Sequence, residues 1–182
     1  MSTFVILDRD GVINEDSPDY IKGPEEWHPV PGSLEAIASL TRLGIPVFIA
    51  TNQAGIARGK LTPEDLEAIH DKLRLAVTAA GGEIREIRHC PHHPDDHCHC
   101  RKPAPGMLED LATNHELVLS EGYYVGDSLK DLRAAETAGC QGVLVLTGNG
   151  LETRRLRPHH EPVFDDLLAF VRDTFEDPTG RR

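Results

Sequence analysis

The chain has 182 residues, 39% of them hydrophobic and 27% charged, with a net charge of −11. This length suits a single domain (1–182) with a true hydrophobic core, and this acidity opposes binding to nucleic acid or to an anionic membrane. No apolar run approaches a membrane span, and Met1-Ser2-Thr3-Phe4 leads straight into an apolar stretch rather than a basic leader, so a cytoplasmic protein is expected.

Taken in chain order, short apolar runs alternate with amphipathic stretches, the pattern of a parallel sheet flanked by helices. Thr3–Leu7 is β-rich and is followed by Asp8. Ser33–Leu43 carries helical spacing in Leu34, Ile37, Ala38 and Leu40, and stops at Gly44. Ile45–Ala50 is the next strand, with Thr51 after it. Thr62 caps a second helix, Pro63 suits its first turn, and Gly81-Gly82 ends it. Ile84–His89 reads as a strand despite its poor alternation. Helix resumes at Pro105–Asn114, then a strand at Gly122–Gly126, a helix at Ser128–Ala138, a strand at Gly142–Leu146 and a last helix at Asp165–Phe175. The polar tail, 176–182, is expected to fray.

Polar residues fall at telling places. Asp8, Thr51 and Asp127 each stand at the carboxyl end of an expected strand, the edge where open α/β sheets bind ligands. Asp8 and Asp10, two positions apart, can supply one group to attack and one to move a proton, and Gly11 lets the backbone turn closely about an anion. The hydroxyl of Thr51 and nearby amides can hold a phosphoryl oxygen. Lys102 can neutralise a transferring phosphoryl group, and Arg101 can grip a second anion. Asp127 can help bind Mg²⁺, with Asp131 one turn on. Singly, each admits a plainer role as a polar strand end, a helix cap or a solvated basic pair. Together they are ordered and converge on one edge.

The segment from His89 to Cys100 holds three of the four cysteines and five of the ten histidines. Cys90-x-His92 and Cys98-x-Cys100 form two short pairs five residues apart, a Cys₃His set suited to structural Zn²⁺, with His93, His97 or His99 as alternatives to His92. The zinc loop is drawn at 89–101. A closed set leaves no position for water, so no catalytic step is expected there.

The four motifs, Asp8-x-Asp10, Thr51, Lys102 and Gly126-Asp127 with Asp131, resemble those of the haloacid dehalogenase superfamily, in family order over residues 4 to 147. The resemblance implies a Rossmann-like α/β core. It also implies Asp8 as nucleophile, Asp10 as general acid and then base, and Thr51 and Lys102 as phosphoryl stabilisers. Mg²⁺ would be held by the Asp8 carboxylate, the Asp10 backbone carbonyl and Asp127. Cys90-Pro91-His92-His93-Pro94, Cys98-x-Cys100-Arg101-Lys102-Pro103 and Thr51-Asn52-Gln53-Ala54-Gly55-Ile56-Ala57-Arg58-Gly59 further resemble the D-glycero-D-manno-heptose 1,7-bisphosphate 7-phosphatases. That resemblance implies removal of the 7-phosphate of a phosphorylated sugar during ADP-heptose synthesis for the lipopolysaccharide core. Arg101 would meet the retained 1-phosphate. Arg9, Asp16, Ser17, Pro18, Asp19, Asn52, Gln53 and Ala54 would line the substrate. Ser128 stands where some relatives carry Lys, and the loop between the zinc pairs is shorter than in some.

The segments between motifs leave no room for a large cap domain. A monomer is expected. Histidinol-phosphate phosphatase is the near alternative and a non-catalytic zinc module the distant one. Arg101 speaks for a bisphosphate, and the ordered acids have no use in a module.

Overall fold

The computed structural model describes residues 3–177; of the tail 176–182, expected to fray, Glu176 ends a π turn and 178–182 lie outside the described residues. Six strands form one all-parallel sheet, ordered β3-β2-β1-β4-β5-β6. The strands are β1 (Val5–Leu7), β2 (Val47–Asn52), β3 (Glu86–Cys90), β4 (Tyr123–Gly126), β5 (Gln141–Val145) and β6 (Val163–Phe164). Alternate residues of the central strands feed two separate cores, as a sheet covered on both faces requires. Val5, Leu7, Val47, Ile49 and Val125 pack with α1 (Ser33–Arg42), α2 (Pro63–Ala79) and α6 (Leu167–Val171). Phe4, Ile6, Phe48, Ala50 and Tyr124 pack on the other face with α3 (Gly106–His115) and α4 (Leu129–Ala138).

Local chemistry sets the helix ends much as the sequence suggests. Thr62 Oγ1 accepts from Asp65 N at 3.1 Å while Thr62 N donates to Asp65 Oδ2 at 2.8 Å, closing a capping box on α2. β3 lies at the sheet edge and is mostly half-buried, which explains why its apolar residues do not alternate. Two elements were not expected: α5 (Gly150–Leu156) and β6, whose two residues pair with Leu144 and Val145. Two residues carry no periodicity of their own, so β6 exists only because β5 offers an edge. The last helix is shorter than expected and passes into a π turn at Arg172–Glu176.

Chain order reverses at β1, which has β2 on one side and β4 on the other. In open parallel sheets the crevice at such a switch point is the natural ligand site.

Candidate active site

Leu7 pairs with Val125 and also with Ile49. The chains leaving β1 and β4 therefore emerge side by side, and they begin with Asp8 and Asp127. Thr51 differs slightly from expectation: pairing with β3 carries β2 on to Asn52, so Thr51 sits within the strand. These residues open onto a cavity of about 210 Å³ that is also lined by Asp10, Asp16, Ser17, Gln53, Ala54 and Arg101.

The carboxylates of Asp8, Asp127 and Asp131 offer oxygens within 4.8 Å of one another, all three residues being buried. One cation stands among them. Lys102, whose side chain is 0% exposed, reaches Asp8 Oδ1 and Asp131 Oδ1, each at 2.8 Å. Its ammonium also donates to Ala50 O at 2.9 Å and to the Tyr124 hydroxyl at 2.7 Å. Asn52 fixes the backbone beneath it: Lys102 N donates to Asn52 Oδ1 and Asn52 Nδ2 donates to Lys102 O, both at 3.1 Å. Asn52, expected at the substrate, lines the same cavity while its amide makes this clamp.

Three acids against one lysine leave negative charge in excess. Burial, together with the charge of Asp131, pushes Asp8 up to about 6, against the pull of Lys102. Burial and the charges of Asp8 and Asp131 push Asp127 up to about 8, although Asn149 donates to its Oδ2 from both backbone N (2.7 Å) and Nδ2 (3.1 Å). Asp131 goes the other way: burial opposes its ionisation, but Lys102 outweighs it and holds the carboxyl below the usual range. Both Asp131 oxygens are also engaged, Oδ1 by Lys102 and Oδ2 by Ser128 N. Asp8 and Asp127 each have only one oxygen engaged, Oδ1 of Asp8 by Lys102 and Arg9 N and Oδ2 of Asp127 by Asn149. Backbone crowds round them closely. A Cβ on Gly11 (φ +84°) would stand 2.1 Å from Asp127 Oδ2, and one on Gly148 (φ +55°) 2.3 Å from the same atom. Carboxylates in excess over their one lysine, set in a backbone cradle, are a donor set that suits a hard divalent cation.

Asp10 sits beside this cluster in a dense net. Its Oδ1 accepts from Arg9 Nη2 (2.8 Å), Arg9 Nε (3.1 Å) and Asn14 Nδ2 (2.9 Å), and its Oδ2 from Gln53 Nε2 (3.0 Å). Burial would raise its pKa, but Arg9 and these donors hold it below the usual carboxylate range. Gln53 Nε2 also donates to Thr51 Oγ1 at 3.0 Å.

Arg9 does not meet the cavity. It is 0% exposed and folds back onto Asp10 and His70. Pro18 and Asp19 also lie off the cavity lining, Asp19 being exposed and paired with Lys22 and Lys60. Asp16 and Ser17 do line it. Sequence reasoning missed Tyr20, Arg58, Lys130 and Asn149, which complete the wall. Arg58 lies within the Thr51–Gly59 stretch, and nothing in the pattern marks the others.

The second cluster closes as its spacing suggested. Cys90 Sγ lies 3.5 Å from Cys98 Sγ and 3.5 Å from His92 Nδ1, Cys98 Sγ 3.6 Å from Cys100 Sγ, and His92 Nδ1 3.2 Å from Cys100 Sγ. The edge of a zinc–thiolate tetrahedron is about 3.8 Å, given bonds of about 2.3 Å. His93 and His99 are turned elsewhere, to Asp95 (3.3 Å) and Glu109 (3.0 Å). His92 is the histidine whose ring nitrogen lies within 4.8 Å of the three cysteine sulfurs, a cluster that could hold a metal ion.

Residues 99–170 match the HAD-hydrolase-like family. The D-glycero-beta-D-manno-heptose-1,7-bisphosphate 7-phosphatase of Pseudomonas putida is 51% identical over 93% of this chain and 97% of its own. The enzyme of that name from Neisseria meningitidis serogroup B is 46% identical over 97% and 96%. The chain belongs to the heptose 1,7-bisphosphate 7-phosphatase family. Within that family, the crystal structure of the B. bronchiseptica D,D-heptose 1,7-bisphosphate phosphatase, complexed with magnesium and phosphate, superposes with a TM-score of 0.91 at 47% identity. The match covers 97% of this chain and 99% of that one. Membership makes the chain a phosphoric monoester hydrolase with the expected Rossmann-like core and no large cap. No described helix is long and apolar enough to cross a membrane.

Proposed function

We propose that this protein hydrolyses the 7-phosphate of D-glycero-β-D-manno-heptose 1,7-bisphosphate through an aspartyl-phosphate on Asp8. The observation that carries the reading is Asp8 and Asp127 lining the cavity, backed by Asp131 and the buried Lys102. The relatives at 51% and 46% identity, both named for the β anomer, support the substrate.

Asp8 Oδ1 is held by Lys102 and by Arg9 N (2.8 Å), which leaves Oδ2 to attack phosphorus. Splitting hydrolysis into attack by a carboxylate and later attack by water replaces one hard step with two easier ones. Lys102 and Thr51 offset charge on the phosphoryl oxygens. Asp10 gives a proton to the departing sugar oxygen and afterwards takes one from the attacking water. Its low pKa in the free protein means that this proton is taken up when the phosphate dianion arrives, by like-charge repulsion. Mg²⁺, held by Asp8, Asp127 and the Asp10 carbonyl, supplies charge neutralisation when bound.

Arg101 supports a bisphosphate. It lines the cavity, and its Nη1 is buried without a hydrogen-bond partner among the described residues, as an anchor for the 1-phosphate would be. Cys90, His92, Cys98 and Cys100 hold structural Zn²⁺ and pin the loop that delivers Arg101 and Lys102. The enzyme acts as a cytoplasmic monomer in ADP-heptose supply for the lipopolysaccharide core. Steady-state phosphate release from the β and α anomers and from histidinol phosphate tests the substrate. The β anomer should have the highest kcat/KM, and a higher value for histidinol phosphate would defeat the assignment. Asp8→Asn should abolish release, and persisting turnover would defeat the covalent route.

A further inference from the structure

Arg9 is buried completely, yet it is neither a substrate contact nor a surface ion pair. Its Nε and Nη2 grip Asp10, and its remaining nitrogen, Nη1, lies 3.3 Å from Nε2 of His70, sixty-one positions away on α2. His70 is itself 1% exposed, and its ring lies 5.9 Å from that of His89 on β3. A guanidinium can only donate. His70 Nε2 is therefore the bare, accepting nitrogen, and the ring is neutral with its proton on Nδ1. Arg9 is thus held from both sides: an acceptor on the helix fixes one terminal nitrogen, and the carboxylate in the site receives the others.

We propose that His70 is a positioning residue for proton transfer, fixing the Arg9 guanidinium that orients the Asp10 carboxylate. The inference rests on the reading of Asp10 as the general acid. Its consequence is selective. A sugar alkoxide is a poor leaving group and needs a well-placed proton, whereas p-nitrophenolate leaves without one. A loosened Asp10 should therefore harm the sugar phosphate far more than the aryl phosphate, while a general loss of structure would harm both alike.

The test compares kcat/KM for the sugar bisphosphate and for p-nitrophenyl phosphate, because this quantity extends only to departure of the leaving group. In His70→Phe the ratio of the two should fall about tenfold, a modest part of the ~10²-fold that a 1 Å misplacement can cost. His70→Gln, whose side-chain oxygen can accept from Arg9, should restore most of it. His70→Leu serves in the same comparison where the phenylalanine variant does not fold. An unchanged ratio in a folded apolar variant, or a Gln variant as poor as the apolar one, overturns the proposal. Asp10→Asn separates the two readings. If its ratio also stays unchanged, the role of Asp10 fails; if it falls while the His70 variants hold theirs, the role of His70 alone fails.

Discussion

Replacing Lys102 by methionine tests how much of the fold depends on the catalytic charge balance. The side chain is 0% exposed and makes two 2.8 Å ion pairs, to carboxylates that are 8% and 0% exposed. At that distance each pair is worth about 6 kcal/mol of gross attraction with an effective dielectric constant of about 20. Most of this offsets desolvation of the three groups, so the lasting penalty is that of leaving buried charge uncompensated, about 3–5 kcal/mol. Methionine keeps the volume, so cavity formation adds little. Such a loss is a large part of the ~5–15 kcal/mol that stabilises an ordinary domain. Urea denaturation of the metal-free protein at pH 7.5 should show it as a lower midpoint with unchanged slope. The loss should also depend on pH. In the native protein Asp131 is held below its unfolded value by Lys102, so its contribution is present above pH 3.8 and is lost as pH falls through its lower folded pKa. Without the lysine, burial and mutual repulsion raise Asp8 and Asp131 together, so the variant gains stability as they take up protons. The gap should be widest at neutral pH and close toward pH 4. A deficit below about 1 kcal/mol at pH 7.5, or one that does not change with pH, would refute the reasoning.

His70 should make a separate acid limb. Burial, then the charges of Arg9, His89 and Arg74, push it down to about 3 against the opposing pull of Asp10, so the folded state resists its protonation. Stability is present in full above the unfolded pKa of about 6.5 and should fall by about 2–3 kcal/mol between pH 6.5 and 4.5. His70→Gln should remove that slope in denaturation curves, and parallel wild-type and variant curves would contradict the assignment. Asp127→Asn should stabilise the metal-free chain by on the order of 2 kcal/mol, because it removes a carboxyl that burial and then the charges of Asp8 and Asp131 lift to about 8. The same variant should lose any Mg²⁺-induced rise in Tm, and a retained rise would remove Asp127 from the cation set. Cys98→Ser should lower bound zinc and Tm together, as measured by metal analysis and calorimetry; full zinc content would disprove the ligand set.

Sequence alone determined the parts of this enzyme that depend on local order. Alternating residues such as Val5/Ile6/Leu7 commit β1 to two buried faces, and an acid directly after an apolar strand is delivered to the sheet edge wherever that strand pairs. The Cys-x-His and Cys-x-Cys spacings similarly close on one point because each pair acts over a single turn of chain. Tertiary structure decided what two distant segments do to each other. It turned Arg9 inward to His70, gave Asn52 to the backbone of Lys102, and aimed Asn149 at Asp127. It also divided the acid trio, tying Asp131 to Lys102 and leaving Asp8 and Asp127 toward the cavity. Periodicity records which face a residue takes. It does not record which residue stands opposite, and the protonation and reach of each group in this site depend on that partner.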